Sequence, residues 1–304
     1  RFAMTTVVIA GVAVVDFVFR VDEMPRRAEK YRAEDAEIVG GGNAANASVG
    51  VARLGGEAML AARLGDDAIA DMILARLAAE QVDCWAVRRH AGRRSSFSSI
   101  YVDAAGERQI MNFRDRELPV AADWLAACLP ERFDCALADT RWGDGAAELM
   151  RLARSRGIPG VIDAEAPVRE ASAALAEASH VAFSAQGLRD FTAGDTAAQL
   201  DRLLAEAWSE LRNWICVTDG ENGVFWTDGR ASGHVSAPPV EAVDTLGAGD
   251  LWHGAFALAL GEGQGEIDAI AFANAAASLK CARFGGRKGF PTRAEVGAFL
   301  RSRA

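Results

Sequence analysis

The sequence predicts an α/β fold: a central, mostly parallel sheet with helices on both faces, plus a small β-sheet lid. Three observations carry this. The run Val7-Val8-Ile9-Ala10-Gly11-Val12-Ala13-Val14 is apolar almost throughout, as a strand buried on both faces must be. From about residue 57 onward, short apolar runs alternate with longer segments of helical period, the pattern of βα units. Two islands, about residues 17–38 and 96–114, break that alternation with short strands of the antiparallel kind. We expect one unit over residues 4–304, with the two islands inserted as the lid, because no repeat, low-complexity segment or linker divides the chain. Arg1-Phe2-Ala3, ahead of Met4, are set aside from this reading.

Taken in order, the first strand is followed at once by Asp16. A carboxylate just past a buried parallel strand is well placed for a ligand, though it also suits a turn. Gly40-Gly41-Gly42-Asn43-Ala44-Ala45-Asn46-Ala47 then leads into a small-residue helix through Leu54. Glycines let a backbone approach a ligand closely, and asparagines both donate and accept, which suits sugar hydroxyls. A tight turn with asparagine caps is the alternative. The second island reads as a hairpin, Ser98–Val102 and Glu107–Phe113, turning at Gly106. Further strands are expected at 58–62, 134–138, 160–163, 180–183, 213–218 and 222–227. Helices are expected at 67–80, 144–156, 169–177, 195–207, 247–260, 266–282 and 292–300.

Composition narrows the function. Half of the 304 residues are hydrophobic and a quarter charged, as in a soluble globular enzyme. A net charge of −9 argues against a nucleic-acid or anionic-membrane partner. No apolar run is long enough to span a membrane. Cys84, Cys128, Cys135, Cys216 and Cys281 are scattered and lack Cys-x-x-Cys spacing, which suggests reduced thiols in a cytoplasmic protein and no zinc site. Neither a Walker-type loop nor a dinucleotide fingerprint occurs.

The chemistry concentrates at Val243-Asp244-Thr245-Leu246-Gly247-Ala248-Gly249-Asp250, which runs into an apolar helix ending near Gly261. A glycine turn opening a buried helix aims unpaired N–H groups outward, with the helix dipole behind them, and so makes an anion site. Asp250 beside it could take a proton from a hydroxyl while the N–H groups of Gly247, Ala248 and Gly249 neutralise charge on a transferring phosphoryl group. An ordinary capped helix is the bland alternative. His253, close by, suits a core position better than a catalytic one.

This octet resembles the Asp-Thr-x-Gly-Ala-Gly-Asp signature of the ribokinase (PfkB-type) carbohydrate kinases, and the glycine–asparagine run resembles their first signature, Gly-Gly-x-x-x-Asn. The resemblance extends over essentially the whole chain. It implies a ribokinase-like fold, ATP and Mg2+ as cofactors, Asp250 as catalytic base, and Gly42, Asn43 and Asn46 near the sugar, with Asp16 a ligand candidate by its own position. It also implies a lid that often forms a homodimer contact. Ile215–Val224 resembles the nucleotide-binding segment, which implies Thr218 and Gly220 along ATP, a plain hairpin being the alternative. The helix position of Asn274 matches one near the nucleoside in the family, though Asn274 equally suits a satisfied interior amide. Some members bind a monovalent cation, K+, beside the anion turn through positions including Asp244. Glu29-Lys30-Tyr31, Gly106–Asn112, Ala138–Trp142 and Leu279–Cys281 with Gly285-Gly286-Arg287 are similar to kinases of 6-deoxy-6-sulfofructose. That resemblance implies Lys30, Asn112 and Arg141 as a sulfonate clamp and phosphorylation at C1 of the ketose. The Gly-Gly-Asn-Ala-Ala-Asn loop looks more like ketohexokinases, which keeps fructose open as substrate. A non-catalytic sugar-binding protein is the reading from another class. The family's Asn-x-x-Glu motif, tied to magnesium, is replaced by Ser184-Ala185-Gln186-Gly187, so Mg2+ would be held mainly by ATP and water.

Overall fold

A computed structural model describes residues 4–105, 107–195 and 199–303. The hairpin glycine Gly106, residues 196–198 of one expected helix, and the three residues before Met4 lie outside it.

The expected apolar strand divides in two. β1 (Thr6–Gly11) is central to the large sheet, whereas β2 (Val14–Arg20) belongs to the small one. The break comes where the Val12 N–H leaves the ladder for the carboxylate of Asp139, at 2.8 Å. That carboxylate also fills the space a side chain on Gly11 would need. Asp16 is therefore not a residue past a strand end, as the sequence suggested. It lies within β2, in the lid.

The large sheet has nine strands. In spatial order they are Ser232–Val235 (β13), Val224–Thr227 (β12), Trp214–Thr218 (β11), His180–Ser184 (β10), Gly160–Ala164 (β9), Cys135–Asp139 (β8), β1, Glu57–Gly65 (β4) and Val87–His90 (β5). All pairs are parallel except those joining β11 to β12 and β12 to β13. Along each strand alternate side chains enter two cores, so Val7 and Ile9 face one and Val8 and Ala10 the other. The first core is covered by helices α1 (Asn43–Arg53), α2 (Ala68–Ala79), α8 (Ala248–Gly261) and α9 (Glu266–Cys281). The second is covered by α4 (Gly143–Arg156), α5 (Ser172–Glu177), α6 (Ala185–Thr192) and α7 (Leu200–Leu211), with the short α3 (Leu125–Cys128) beside α4. Arg293–Arg301 (α10) closes the chain behind a Thr292/Glu295 capping box.

The lid is a four-stranded sheet in the order Asp35–Gly41 (β3), β2, Phe97–Val102 (β6) and Arg108–Phe113 (β7). It extends beyond the expected islands because β2 and β3 run right up to the core. Several elements escaped the sequence reading. β5, Val-Arg-Arg-His, has no apolar run to announce it. α6 starts at the Ser184 cap, and the helix expected at 195–207 sits later, as α7.

Candidate active site

β1 is flanked by β8 on one side and β4 on the other, so the strand order reverses here and a crevice opens at the carboxyl ends. The helix pair α1/α8 forms its wall. Gly50 lies against Leu251, and the missing side chain of Gly254 lets α8 approach the Ala47 carbonyl, which is 2.6 Å from where a Cβ would stand. Only small residues permit that approach, and it brings Asn46 Nδ2 to 2.6 Å from Asp250 Oδ2.

Asp250 is partly exposed to the crevice. Burial of its carboxyl and the negative charge of Asp163 push its pKa up to about 7. The Asn46 hydrogen bond and His253 oppose the rise, and Glu165 adds to it. Beside it, Gly247 turns the chain with φ +77° and caps α8. The Ala248 N–H is not free, as expected from sequence, because it closes the turn onto the Thr245 carbonyl at 3.1 Å. Among the described residues the N–H groups of Gly247, Gly249 and Asp250 have no protein acceptor, and Gly249 faces open space. The anion cradle is thus shifted one residue toward Asp250.

The floor is acidic. Asp139, buried at the end of β8, accepts from the N–H groups of Val12 (2.8 Å), Arg141 (2.8 Å) and Ala44 (3.1 Å). Burial nonetheless pushes it up to about 6. Asn43 Nδ2 donates to Glu165 Oε2 at 2.8 Å and lies 3.4 Å from Asp163 Oδ2. Buried Asp163 is raised by desolvation, and His253 Nε2, 3.4 Å from its Oδ1, counters that. His253 Nδ1 lies 2.8 Å from the Gly249 carbonyl, so the histidine braces the turn from within the core. Arg141 projects half-buried, with its guanidinium 3.9 Å from Glu165.

The lid contributes one row. Asp16 pairs in register with Ser98, and Ser98 with Asn112. Asn112 Nδ2 is 3.2 Å from Ser98 Oγ. Burial raises the Asp16 carboxyl, while its hydrogen bond to Ser98 and the charge of Arg287 hold it back. Lys30 is exposed and, among the described residues, makes no hydrogen bond or ion pair. The structure therefore sets Asp16 and Asn112 in one row across the lid, while among the described residues no hydrogen bond or ion pair joins Lys30, Asn112 and Arg141 to one another.

Arg287, named in the sequence only as part of the family resemblance and given no role there, reaches the site. Its Nε donates to Asn46 Oδ1 and its Nη2 to the Gly41 carbonyl at 3.0 Å. Burial lowers its pKa to about 10 against the attraction of Asp250. The signal was in the glycine run, read there as room for a ligand. A side chain on Gly40 would collide with the Arg287 guanidinium, and one on Gly41 with Asp16, while Gly42 turns with φ +92° against the Val12 carbonyl. These glycines make room for the protein's own groups.

Toward the other end of the crevice, Thr218 closes β11 with its hydroxyl 3.4 Å from the Phe183 carbonyl. Gly220 is exposed, with φ +54° and open space beside it. Asn274 is buried, accepts from Trp252 Nε1 at 2.8 Å and donates to the carbonyls of Val235 and Ser236, both at 3.2 Å, the interior-amide arrangement the sequence also allowed. Asp244 holds the ammonium of Lys280, with Oδ2 at 3.2 Å and its carbonyl at 2.7 Å. Among the described residues no set of three or more His, Cys, Asp or Glu side chains is grouped to hold a metal. Where the family's magnesium motif would lie, Ser184 caps α6 by accepting from the Gly187 N–H at 2.9 Å, and a side chain on Gly187 would overlap the Ala164 carbonyl.

A two-sheet α/β fold with a carboxylate beside an N–H cradle, under a lid, is that of a ribokinase-like kinase. The chain belongs to the pfkB family of carbohydrate kinases, whose profile matches residues 4–293. It is 28% identical to ribokinase of Bacillus subtilis over 303 residues, covering 98% of this chain and 100% of the relative. It is also 28% identical to fructokinase-1 of Zea mays, covering 84% and 86%. A crystal structure from Agrobacterium tumefaciens, provisionally assigned as a ribokinase, superposes with a TM-score of 0.88 at 34% identity over 99% of this chain and 98% of that one. Ribokinase of Arabidopsis thaliana, solved with ribose and ATP, superposes with a TM-score of 0.87 at 22% identity, covering 98% and 99%. The chain is accordingly an ATP-dependent carbohydrate kinase.

Proposed function

We propose that this kinase transfers the γ-phosphoryl group of ATP to a primary hydroxyl of a neutral sugar, C1 where the sugar is a ketose. The observation that carries the reading is the Asp250–Asn46 pair at the mouth of the N–H cradle. With a pKa near 7, Asp250 can accept the hydroxyl proton near neutrality as the oxygen attacks phosphorus. The free N–H groups of Gly247 and Gly249 then meet the charge on the phosphoryl oxygens. Asn43, Asp16 and Asn112 offer the mixed donors and acceptors that hydroxyls need, and the ribokinase and fructokinase relatives point to ribose and fructose as the first sugars to test.

The nucleotide runs past Thr218 and Gly220 in this reading. Mg2+ is held mainly by the phosphates and water in this reading, because Ser184-Ala185-Gln186-Gly187 stands where the family's Asn-x-x-Glu would be. Exposed Ile110 and Met111 on the edge strand β7, with Ile38 on β3, support a homodimer through the lid. Five free thiols support a reducing, cytoplasmic setting, and no helix among the described residues is long and apolar enough to cross a membrane.

6-Deoxy-6-sulfofructose is the second reading. One observation favours it: Arg141 reaches the crevice half-buried, with its nearest carboxylate only loosely engaged at 3.9 Å. Coupled ADP release with Mg-ATP, comparing ribose, fructose and the sulfosugar at matched concentrations, tests both. Release that no sugar stimulates would leave only the sugar-binding alternative.

A further inference from the structure

We propose that the Lys280 ammonium is a built-in monovalent cation that organises the anion turn, so that the enzyme needs no K+. This deepens the kinase reading of the same site and rests on it.

Lys280 ends α9 and is fully buried, a state lysine almost never adopts unless paired. An ammonium has three N–H donors, and here three oxygens meet them. Nζ lies 2.7 Å from the Asp244 carbonyl, 3.2 Å from Asp244 Oδ2 and 3.1 Å from the Arg283 carbonyl. Two of the three are main-chain carbonyls, the hard oxygen donors that ordinarily surround a metal cation. The stem packs where a side chain on Gly289 would stand, 3.1 Å from Lys280 Cδ. The position also suits a positive charge because it lies in the last turn of a helix.

The cage joins two loops that serve the crevice. Asp244 begins the turn leading to Gly247, and its carboxylate also accepts from the N–H groups of Leu246 (2.9 Å), Gly285 (3.0 Å) and Gly286 (3.1 Å). Burial works against that carboxylate, but these N–H groups and Lys280 outweigh it and hold its pKa below the ordinary range. The Arg283 carbonyl opens the loop that carries Arg287 to Asn46. One ammonium therefore ties the anion cradle to the arginine beside the base. The Asp244 oxygens that a K+ ion would take are already engaged, so the residues present do not fit the ion that the family resemblance implies.

The test uses the full chain in two independent readouts. Sugar-stimulated ADP release is measured in choline, sodium and potassium chlorides at equal ionic strength. Melting temperature is measured in the same salts without sugar or nucleotide. Wild type should vary by less than about twofold in rate across the salts and show one melting temperature. Lys280→Ala opens the cage, so its melting temperature should fall in choline and recover with K+, as ligand linkage requires. Lys280→Met, which fills the cage without charge, should lose stability and gain no such rescue. Several-fold potassium activation of wild type would overturn the proposal, as would a folded Lys280→Ala protein indifferent to cations. If Lys280→Ala does not fold, the wild-type salt series decides alone. If no sugar is found, the melting series still decides the cation question, so failure of the kinase reading remains distinguishable.

Discussion

Replacing Asp250 by Asn should abolish most of the activity and stabilise the protein at alkaline pH. The carboxyl is moved from its ordinary 3.8 to about 7. At 1.36 kcal/mol per unit, that shift corresponds to a ceiling of roughly 4 kcal/mol. Partial exposure to the crevice screens it, and about 1–3 kcal/mol is a fairer figure. The sign follows from proton counting. A carboxyl whose folded pKa lies above its unfolded one binds more protons in the native state across that interval, so stability falls as pH rises from about 4 to about 7. Asn keeps the shape and can still accept from Asn46, but carries no charge. The variant should melt several degrees above the parent at pH 8 and show no such gain at pH 4, since a chain of this size shifts by about 2–4 °C per kcal/mol. Its kcat should fall by roughly 10²–10⁴. Thermal melts at both pH values and ADP release at saturating sugar make the comparison. Turnover within tenfold of wild type would refute the assignment of Asp250 as base, and a loss of stability at pH 8 would refute the electrostatic account.

Four further outcomes follow from the same geometry. Wild-type kcat/KM should rise with pH through about 7 as Asp250 ionises. Asn46→Ala removes a hydrogen bond that favours the ionised form and should move that limb up by roughly half a unit to a unit; an unmoved limb would count against the pairing. Arg141→Ala should raise KM for 6-deoxy-6-sulfofructose by tenfold or more, about 1.4 kcal/mol, while scarcely changing KM for fructose. Equal effects on the two sugars would remove the second reading. Gly187→Glu would restore the missing family carboxylate by name only: its side chain meets the Ala164 carbonyl, so denaturant melts should show a loss of about 2 kcal/mol or more, and magnesium dependence should not improve.

The sequence by itself determined the fold class, the lid and the chemistry of the phosphoryl site. Hydrophobic periodicity is local, so the runs that became β4, β8, β9, β10 and β11, and the helices α1, α4, α8 and α9, could be read directly. The Gly-Ala-Gly-Asp turn is local too, because glycine angles and a helix N-terminus suffice to create free N–H groups. What only the tertiary structure decided depends on residues far apart in the chain. Asp139 takes the Val12 N–H and splits one apolar run between two sheets. Arg287 reaches Asn46 across 241 positions, and Asn46 reaches Asp250 across 204. The partners of Asn274 and Lys280 are tertiary as well: both side chains are buried, Asn274 against Trp252 and Lys280 against Asp244. The raised pKa of Asp250 is likewise a tertiary property. It comes from burial and from Asp163, a neighbour that no spacing rule would place beside it, because electrostatics follows distance in space and not distance along the chain.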